Sequence, residues 1–183
     1  MGGAAFAAEP AAQQPWQSDA LNVETGVLWQ MGRSTPFAYR ILATEFSWRS
    51  AKVMEHVFED GSRLVVRHRL TLIGDVVQNG PETHYVGFSG SPSIEWWDPT
   101  SAWAMYTGAG GGFGWIDSSG VPGGQTQDLT LNWFIRWGAE HVVSPGRAWS
   151  AGLFYQHLSN GGMTKPHPGI NGVGFTVGYS WSL

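Results

Sequence analysis

The sequence predicts an all-β fold: an eight-stranded antiparallel transmembrane β-barrel. Three observations lead there. The first is a two-residue period, cleanest in the closing stretch NGVGFTVGYSWSL, where Val173, Phe175, Val177, Tyr179, Trp181 and Leu183 share one face. Gly174, Thr176, Gly178, Ser180 and Ser182 share the other. Strand side chains alternate between faces, so one face is bulky and apolar and the other small and polar. A narrow closed barrel needs small inward residues, and lipid tolerates a continuous apolar exterior. The second is composition: only 13% of residues are charged while 14% are aromatic, with 11 tryptophans and 26 glycines. Soluble domains carry roughly a quarter charged residues. The third is the rhythm of the connections. Short turn signals, Glu59-Asp60-Gly61, DPTS (98–101) and SPGR (144–147), alternate with the longer QNGPET (78–83), GGGFGWIDSSGVPGGQTQ (110–127) and NGGMTKPHPG (160–169). Outer-membrane barrels show that asymmetry, with short periplasmic turns and longer external loops.

Taken in order, residues 1–18 are rich in Ala, Gln and Pro and read as a flexible leader or the remnant of an export signal. An Ala-x-Ala pattern stands at Ala5 and Ala7. Residues 19–183 then form a single barrel domain. Strands are expected over 20–32, 37–59, 62–75, 84–97, 101–113, 127–141, 147–159 and 170–183. The second is too long for one crossing and is expected to break near Ser47–Ala51. Leu129, Leu131, Trp133, Ile135 and Trp137 share a face opposite Thr130, Asn132, Arg136 and Gly138. Arg63, Arg67, Arg69 and Thr71 share another and are expected to point inward, toward acids such as Glu95. A charge on the lipid face costs about 2–4 kcal/mol near the bilayer midplane, so the interior is the cheaper place. Trp96, Trp97, Trp103, Trp137, Trp149 and Trp181 fall near turns or chain ends and read as an interfacial belt.

Several function classes drop out. The net charge of −4 and a sequence pI near 5.8 give no basic field for nucleic acid. The chain has no cysteine, which excludes thiolate metal sites. The run Gly108–Gly114 lacks the Lys-Ser/Thr of a phosphate loop. His56, His68, His84 and His141 have no metal-ligand spacing and read as structural histidines. Lys165 and His167 read as exposed loop residues. A soluble calyx barrel that binds a small apolar ligand inside is a rival fold, but it requires apolar inward faces.

The chemistry concentrates in FYQHLSNGGMTKPHPGINGVGF, residues 154–175. His157 and Ser159 lie two apart on a strand, so they point the same way, on an otherwise apolar outward face. The hairpin brings Asn171 to that face. Ser159, His157 and Asn171 thus make a nucleophile, a base and an orienting group, with backbone N–H groups of Asn160–Gly162 free for an oxyanion.

The segment QHLSNGG…KPHPGINGVG…GYSW resembles the lipid A 3-O-deacylases of the Gram-negative outer membrane, whose motif is His-x-Ser-Asn-x-Gly on the penultimate strand. Weaker similarity runs through TPFAYRI, GFSGSPSIEWWD and GGQTQDLTLNWFIRWGAEH. The resemblance implies an outer-membrane serine esterase that removes a 3-hydroxyacyl chain from lipid A of lipopolysaccharide, without metal or cofactor. It matches Ser159 to the nucleophile, His157 to the general base, and Asn160 and Gly162 to the oxyanion hole. Where the family carries an acidic third member, this chain has Asn171. That departure raises the alternative of a catalytically impaired barrel serving as a structural or interaction protein. A homo-oligomer or protein partner stays open. The chain's end, Thr176-x-Gly178-x-x-Trp181-x-Leu183, is similar to the C-terminal assembly signal of outer-membrane barrels, with Leu in the usual aromatic place.

Overall fold

A computed structural model of the chain describes residues 14–165 and 168–183. Its elements are β1 (Ala20–Gln30), β2 (Arg40–Arg49), β3 (Met54–Val57), β4 (Arg63–Asn79), β5 (His84–Trp97), β6 (Trp103–Ile116), β7 (Leu129–Ser144), β8 (Arg147–Ser159) and β9 (Ile170–Ser182). Neighbours pair antiparallel, β1 pairs with β9, and β2 pairs with β4, which closes the wall. β3 pairs only with the start of β4 and stands outside that closure, so the barrel has eight strands. The long second strand breaks as expected: β2 ends at Arg49 and β3 resumes at Met54.

Alternation sorts the side chains. Phe46, Leu72, Phe88, Ile135, Phe175 and Val177 are exposed on the outside, with Phe175 at 66%. Inside, at the end that holds the long loops, Leu28, Ile41, Tyr85, Phe134, Phe154 and Ile170 belong to a buried apolar cluster. At the opposite end, which holds Gln14 and Leu183, Trp16, Val65, Trp97 and Ala104 form a second. Between them lies a layer of buried ion pairs. Arg69 meets Glu24 at 2.7 Å, Arg136 meets Glu24 at 2.6 Å and also Glu45, and Arg49 meets Glu95 at 3.1 Å and Glu140 at 2.8 Å. The inward arginines and Glu95 are therefore where lipid cost predicts them. An interior stacked with charges between apolar plugs is the reverse of a calyx.

Glycine pairs in the wall make room for interior rings. A Cβ on Gly114 would stand 2.6 Å from Tyr85 Cε2, and one on Gly87, its register partner, 2.1 Å from the Tyr85 hydroxyl. Gly138 and Gly152, paired across β7 and β8, admit Tyr106 in the same way.

Several expectations need correction. Trp97 is not in the belt: it is fully buried, with its ring centroid 5.0 Å from that of Trp16. Adjacent strand residues face opposite ways, so Trp96 and Trp97 could not both meet lipid. Arg63, the first residue of β4, pairs at 2.8 Å with Glu55 rather than with Glu95, and its Cζ lies 5.4 Å from the ring centroid of buried Trp16. The run Gly110–Gly114 belongs to β6, and the loop begins at Asp117. The connection after β4 is only 80–83, because β4 runs on to Asn79. Residues 14–18, grouped with the leader by composition, sit under the barrel. Arg67 holds the Ser18 carbonyl at 2.8 Å, and Lys52 N–H donates to Trp16 O at 2.8 Å. Residues 1–13 and His167 lie outside the described residues.

Candidate active site

The outward face of β7, β8 and β9 at the loop end carries the predicted groups. In register, Trp133 of β7 stands beside His157 of β8, which stands beside Asn171 of β9, while Ser159 stands beside Leu131. His157, Ser159 and Asn171 are all half-buried. The hairpin thus sets Asn171 opposite His157 itself.

His157 Nδ1 lies 2.6 Å from Asn171 Oδ1, inside hydrogen-bond range. Tyr155, two residues before His157 on the same face, donates its hydroxyl to the same oxygen at 2.8 Å. Asn171 Nδ2 donates to Ser34 Oγ at 2.7 Å, and Ser34 Oγ donates to the Gly169 carbonyl at 2.6 Å. The His157 ring packs 5.5 Å from the Trp133 ring, centroid to centroid. Its other side abuts Gly169, where a Cβ would stand 2.7 Å from His157 Cε1. The ring is held on three sides.

Ser159 is on the same face, but its hydroxyl makes no hydrogen bond with His157 or any other described residue. An i, i+2 pair on one strand is separated by two residue rises, about 7 Å along the chain. Closure to hydrogen-bond length takes side-chain rotation toward a substrate, and catalytic contacts often tighten only in the complex.

The oxyanion expectation is altered. Asn160 is fully buried, and its Nδ2 reaches Gln125 O at 2.9 Å and Thr164 Oγ1 at 2.9 Å. Its Oδ1 accepts the Gly162 N–H at 2.9 Å, the side-chain-to-backbone bond two residues on that asparagine favours in turns. Gly162 N–H is therefore not free. Among the described residues nothing accepts from the backbone N–H groups of Asn160 and Gly161, which follow Ser159 directly. The Asn160 side chain instead ties the loop at 160–169 to Gln125, whose N–H is held by Ser118 at 2.6 Å. Ser118 in turn donates to Glu82 at 2.8 Å, and Tyr39 to the same carboxylate at 2.5 Å. That buried network clamps all four loops and steadies the turn beside Ser159. Among the described residues no group of His, Asp and Glu has the arrangement of a metal site.

The family model for lipid A 3-O-deacylase (PagL) matches residues 51–180, well over half of the chain. The chain belongs to the lipid A 3-O-deacylase (PagL) family. Among solved structures, the crystal structure of the outer membrane enzyme PagL superposes with a TM-score of 0.58 at 16% identity, covering 90% of this chain and 99% of that one. The crystal structure of Neisserial surface protein A (NspA) superposes with a TM-score of 0.54 at 13% identity, covering 90% of this chain and 97% of that one. At those identities the likeness carries the barrel fold alone. No curated protein matches the chain. This PagL-family chain is an outer-membrane β-barrel, and its family is one of lipid A deacylases.

Three members of the site have contacts that spacing alone does not give. Ser34 lies 137 positions from Asn171, and no spacing rule links them. Gly169 reads as turn glycine, although its role is contact with the His157 ring. Tyr155 carried a usable signal, since the two-residue period places it on the face of His157.

Proposed function

We propose that the chain is an outer-membrane serine esterase that removes an ester-linked 3-hydroxyacyl chain from lipid A on the outer surface of the barrel. The observation that carries this reading is the 2.6 Å contact between His157 Nδ1 and Asn171 Oδ1, beside an outward Ser159, on the lipid-facing wall. Family membership supplies the substrate class. The site's position suits it: Ser159 is the last residue of β8, at the loop end of the apolar outward face. Acyl chains lie along the exposed column Leu131, Ile135 and Trp137 below.

In the proposed reaction Ser159 Oγ attacks the ester carbonyl while its proton passes to His157 Nε2. The oxyanion is met by the N–H groups of Asn160 and Gly161. The tetrahedral intermediate collapses, the sugar 3-oxygen leaves with the proton from His157, and the acyl group stays on Ser159. Water, deprotonated by His157, then releases the 3-hydroxy acid and restores the serine.

The test is mass spectrometry of lipid A incubated with the purified barrel in detergent. Wild type should release 3-hydroxy fatty acid, and Ser159→Ala and His157→Ala should each reduce release by about a thousandfold or more. Equal release by wild type and Ser159→Ala would refute the serine mechanism. No release by folded wild type would leave the chain as a non-catalytic barrel of the family.

A further inference from the structure

An amide in the third position of a triad has a weakness that a carboxylate lacks. A carboxylate presents an acceptor whichever oxygen faces the histidine, whereas an amide presents oxygen in one orientation and N–H in the other. Only the first allows His157 to carry its proton on Nδ1 and keep a lone pair on Nε2. The second forces the proton onto Nε2, and the base is lost. Substitution of Asp by Asn in a serine triad has cost about ten-thousandfold in kcat for that reason. Something must therefore orient Asn171.

The bonds around Ser34 do so. The Gly169 carbonyl can only accept, and Ser34 Oγ lies 2.6 Å from it, so the single Ser34 hydroxyl proton points there. Toward every other neighbour Ser34 Oγ can then only accept. Asn171 is 2.7 Å away on another side, so the amide must turn its N–H₂ to Ser34. Gln30 Nε2, 3.4 Å distant, adds a second donor to the same oxygen and strengthens that polarity. With Nδ2 committed, Oδ1 faces β8 and accepts from Tyr155 at 2.8 Å and His157 at 2.6 Å. The whole chain of bonds runs one way, from His157 Nδ1–H through Asn171 and Ser34 to a backbone carbonyl that admits no reversal. Hydrogen-bond direction alone assigns the amide and the tautomer.

We propose that Ser34 is a positioning residue: it transmits the polarity of the Gly169 carbonyl to Asn171, and so makes a neutral amide serve in place of the acidic third member. The inference rests on the reading of His157 as the base of the candidate site. Ser34 touches neither substrate nor reacting atoms; it acts through Asn171.

The experiment compares kcat for deacylation of lipid A in detergent by wild type, Ser34→Ala, Ser34→Thr, Asn171→Asp and the double variant Ser34→Ala/Asn171→Asp. Folding of each is checked by the electrophoretic mobility of unheated samples. Ser34→Ala should lower kcat by about tenfold or more with little change in KM, bounded above by the ten-thousandfold of a lost tautomer. Ser34→Thr keeps the hydroxyl and should recover most of it. In the Asn171→Asp background the same Ser34→Ala change should have almost no effect, because a carboxylate needs no orienting. An equal loss in both backgrounds would overturn the proposal, since a merely structural serine would act alike in each. A second readout needs no turnover: nitrogen-15 NMR of His157 in a Ser159→Ala background. It should show Nδ1–H with Ser34 present and a growing Nε2–H population in Ser34→Ala. An unchanged tautomer would also overturn it. Failure of wild type to cleave lipid A would refute the esterase reading, while the His157 tautomer would still decide the role of Ser34.

Discussion

Arg136 is the strongest single test of how the interior is held. Its guanidinium spans Glu24, at 2.6 Å, and Glu45, while its carbon atom Cζ lies 5.2 Å from the ring centroids of both Phe134 and Phe154. All three ionic side chains are essentially dry, with exposures of 6% for Arg136, 3% for Glu24 and 2% for Glu45. Arg136→Leu would leave Arg69 alone against two carboxylates, at 2.7 Å from Glu24 and 3.7 Å from Glu45. Removing one partner of a buried ion pair costs about 3–5 kcal/mol, and the lost contacts with two aromatic rings push the figure toward the upper end. The double variant Arg136→Leu/Glu45→Leu restores neutrality, keeps the Arg69–Glu24 pair, and should fall within about 2 kcal/mol of wild type. Urea unfolding in detergent micelles, followed by tryptophan fluorescence, measures both. A loss under about 1 kcal/mol for the single variant, or a double variant no better than the single, would refute the claim that charge balance holds this layer.

Other expectations follow from the same geometry. Gly169→Ala would place a methyl 2.7 Å from His157 Cε1, and displacement of the ring by about an ångström should cost about a hundredfold in deacylation with folding retained. Trp16→Ala empties the fully buried plug against Trp97 and should destabilise the barrel by about 3–5 kcal/mol in the same urea assay. Asp117 is subject to a burial effect that raises its carboxyl, but hydrogen bonds from the Thr83 hydroxyl and the Thr83 and His84 N–H groups outweigh it and hold the group below its ordinary value. A depressed carboxylate stabilises above its unfolded pKa and stops doing so as pH falls through the folded one. Amide-exchange protection at Thr83 and His84 should therefore persist at neutral pH and be lost at pH values below about 4, and Asp117→Asn should remove that transition.

The barrel was legible because its signal is local and repeated: each strand states its own faces, and lipid enforces the same rule on every one. The break between β2 and β3 and the inward arginines followed from length and charge. Nearness to a turn suggests the belt for Trp97, but its adjacency to Trp96 requires the opposite face. Residues 14–18 share the leader's composition, and composition does not report that Trp16 finds a socket made by β4, β5 and β6. At the site, His157, Ser159 and Asn171 sit on one hairpin, so spacing reaches them. Ser34 arrives from the loop between β1 and β2 through barrel closure, and closure is a long-range property without a local pattern. Strand and turn spacing suggests free N–H groups across Asn160–Gly162, but it does not report that Asn160 Oδ1 accepts the one on Gly162.

Under the proposed mechanism, the surroundings of His157 account for a neutral third member on a lipid-facing wall. In the proposed reaction His157 takes the Ser159 proton, and positive charge develops on a ring that touches no carboxylate among the described residues. Two groups answer that charge. Asn171 Oδ1 points its dipole at Nδ1, fixed beforehand by the Ser34 bond and by the Tyr155 hydroxyl, so no reorganisation is needed as the charge forms. Trp133 offers its ring 5.5 Å away, within the range where an aromatic quadrupole attracts a cation. Both are uncharged, so before the reaction the site places no ion against hydrocarbon. A carboxylate at position 171 would stabilise the imidazolium more, but it would stand charged at the edge of the membrane whenever no substrate is bound. The arrangement therefore gives up part of the electrostatic stabilisation and makes up for it with orientation, and orientation is what Ser34, Tyr155, Gly169 and Trp133 provide.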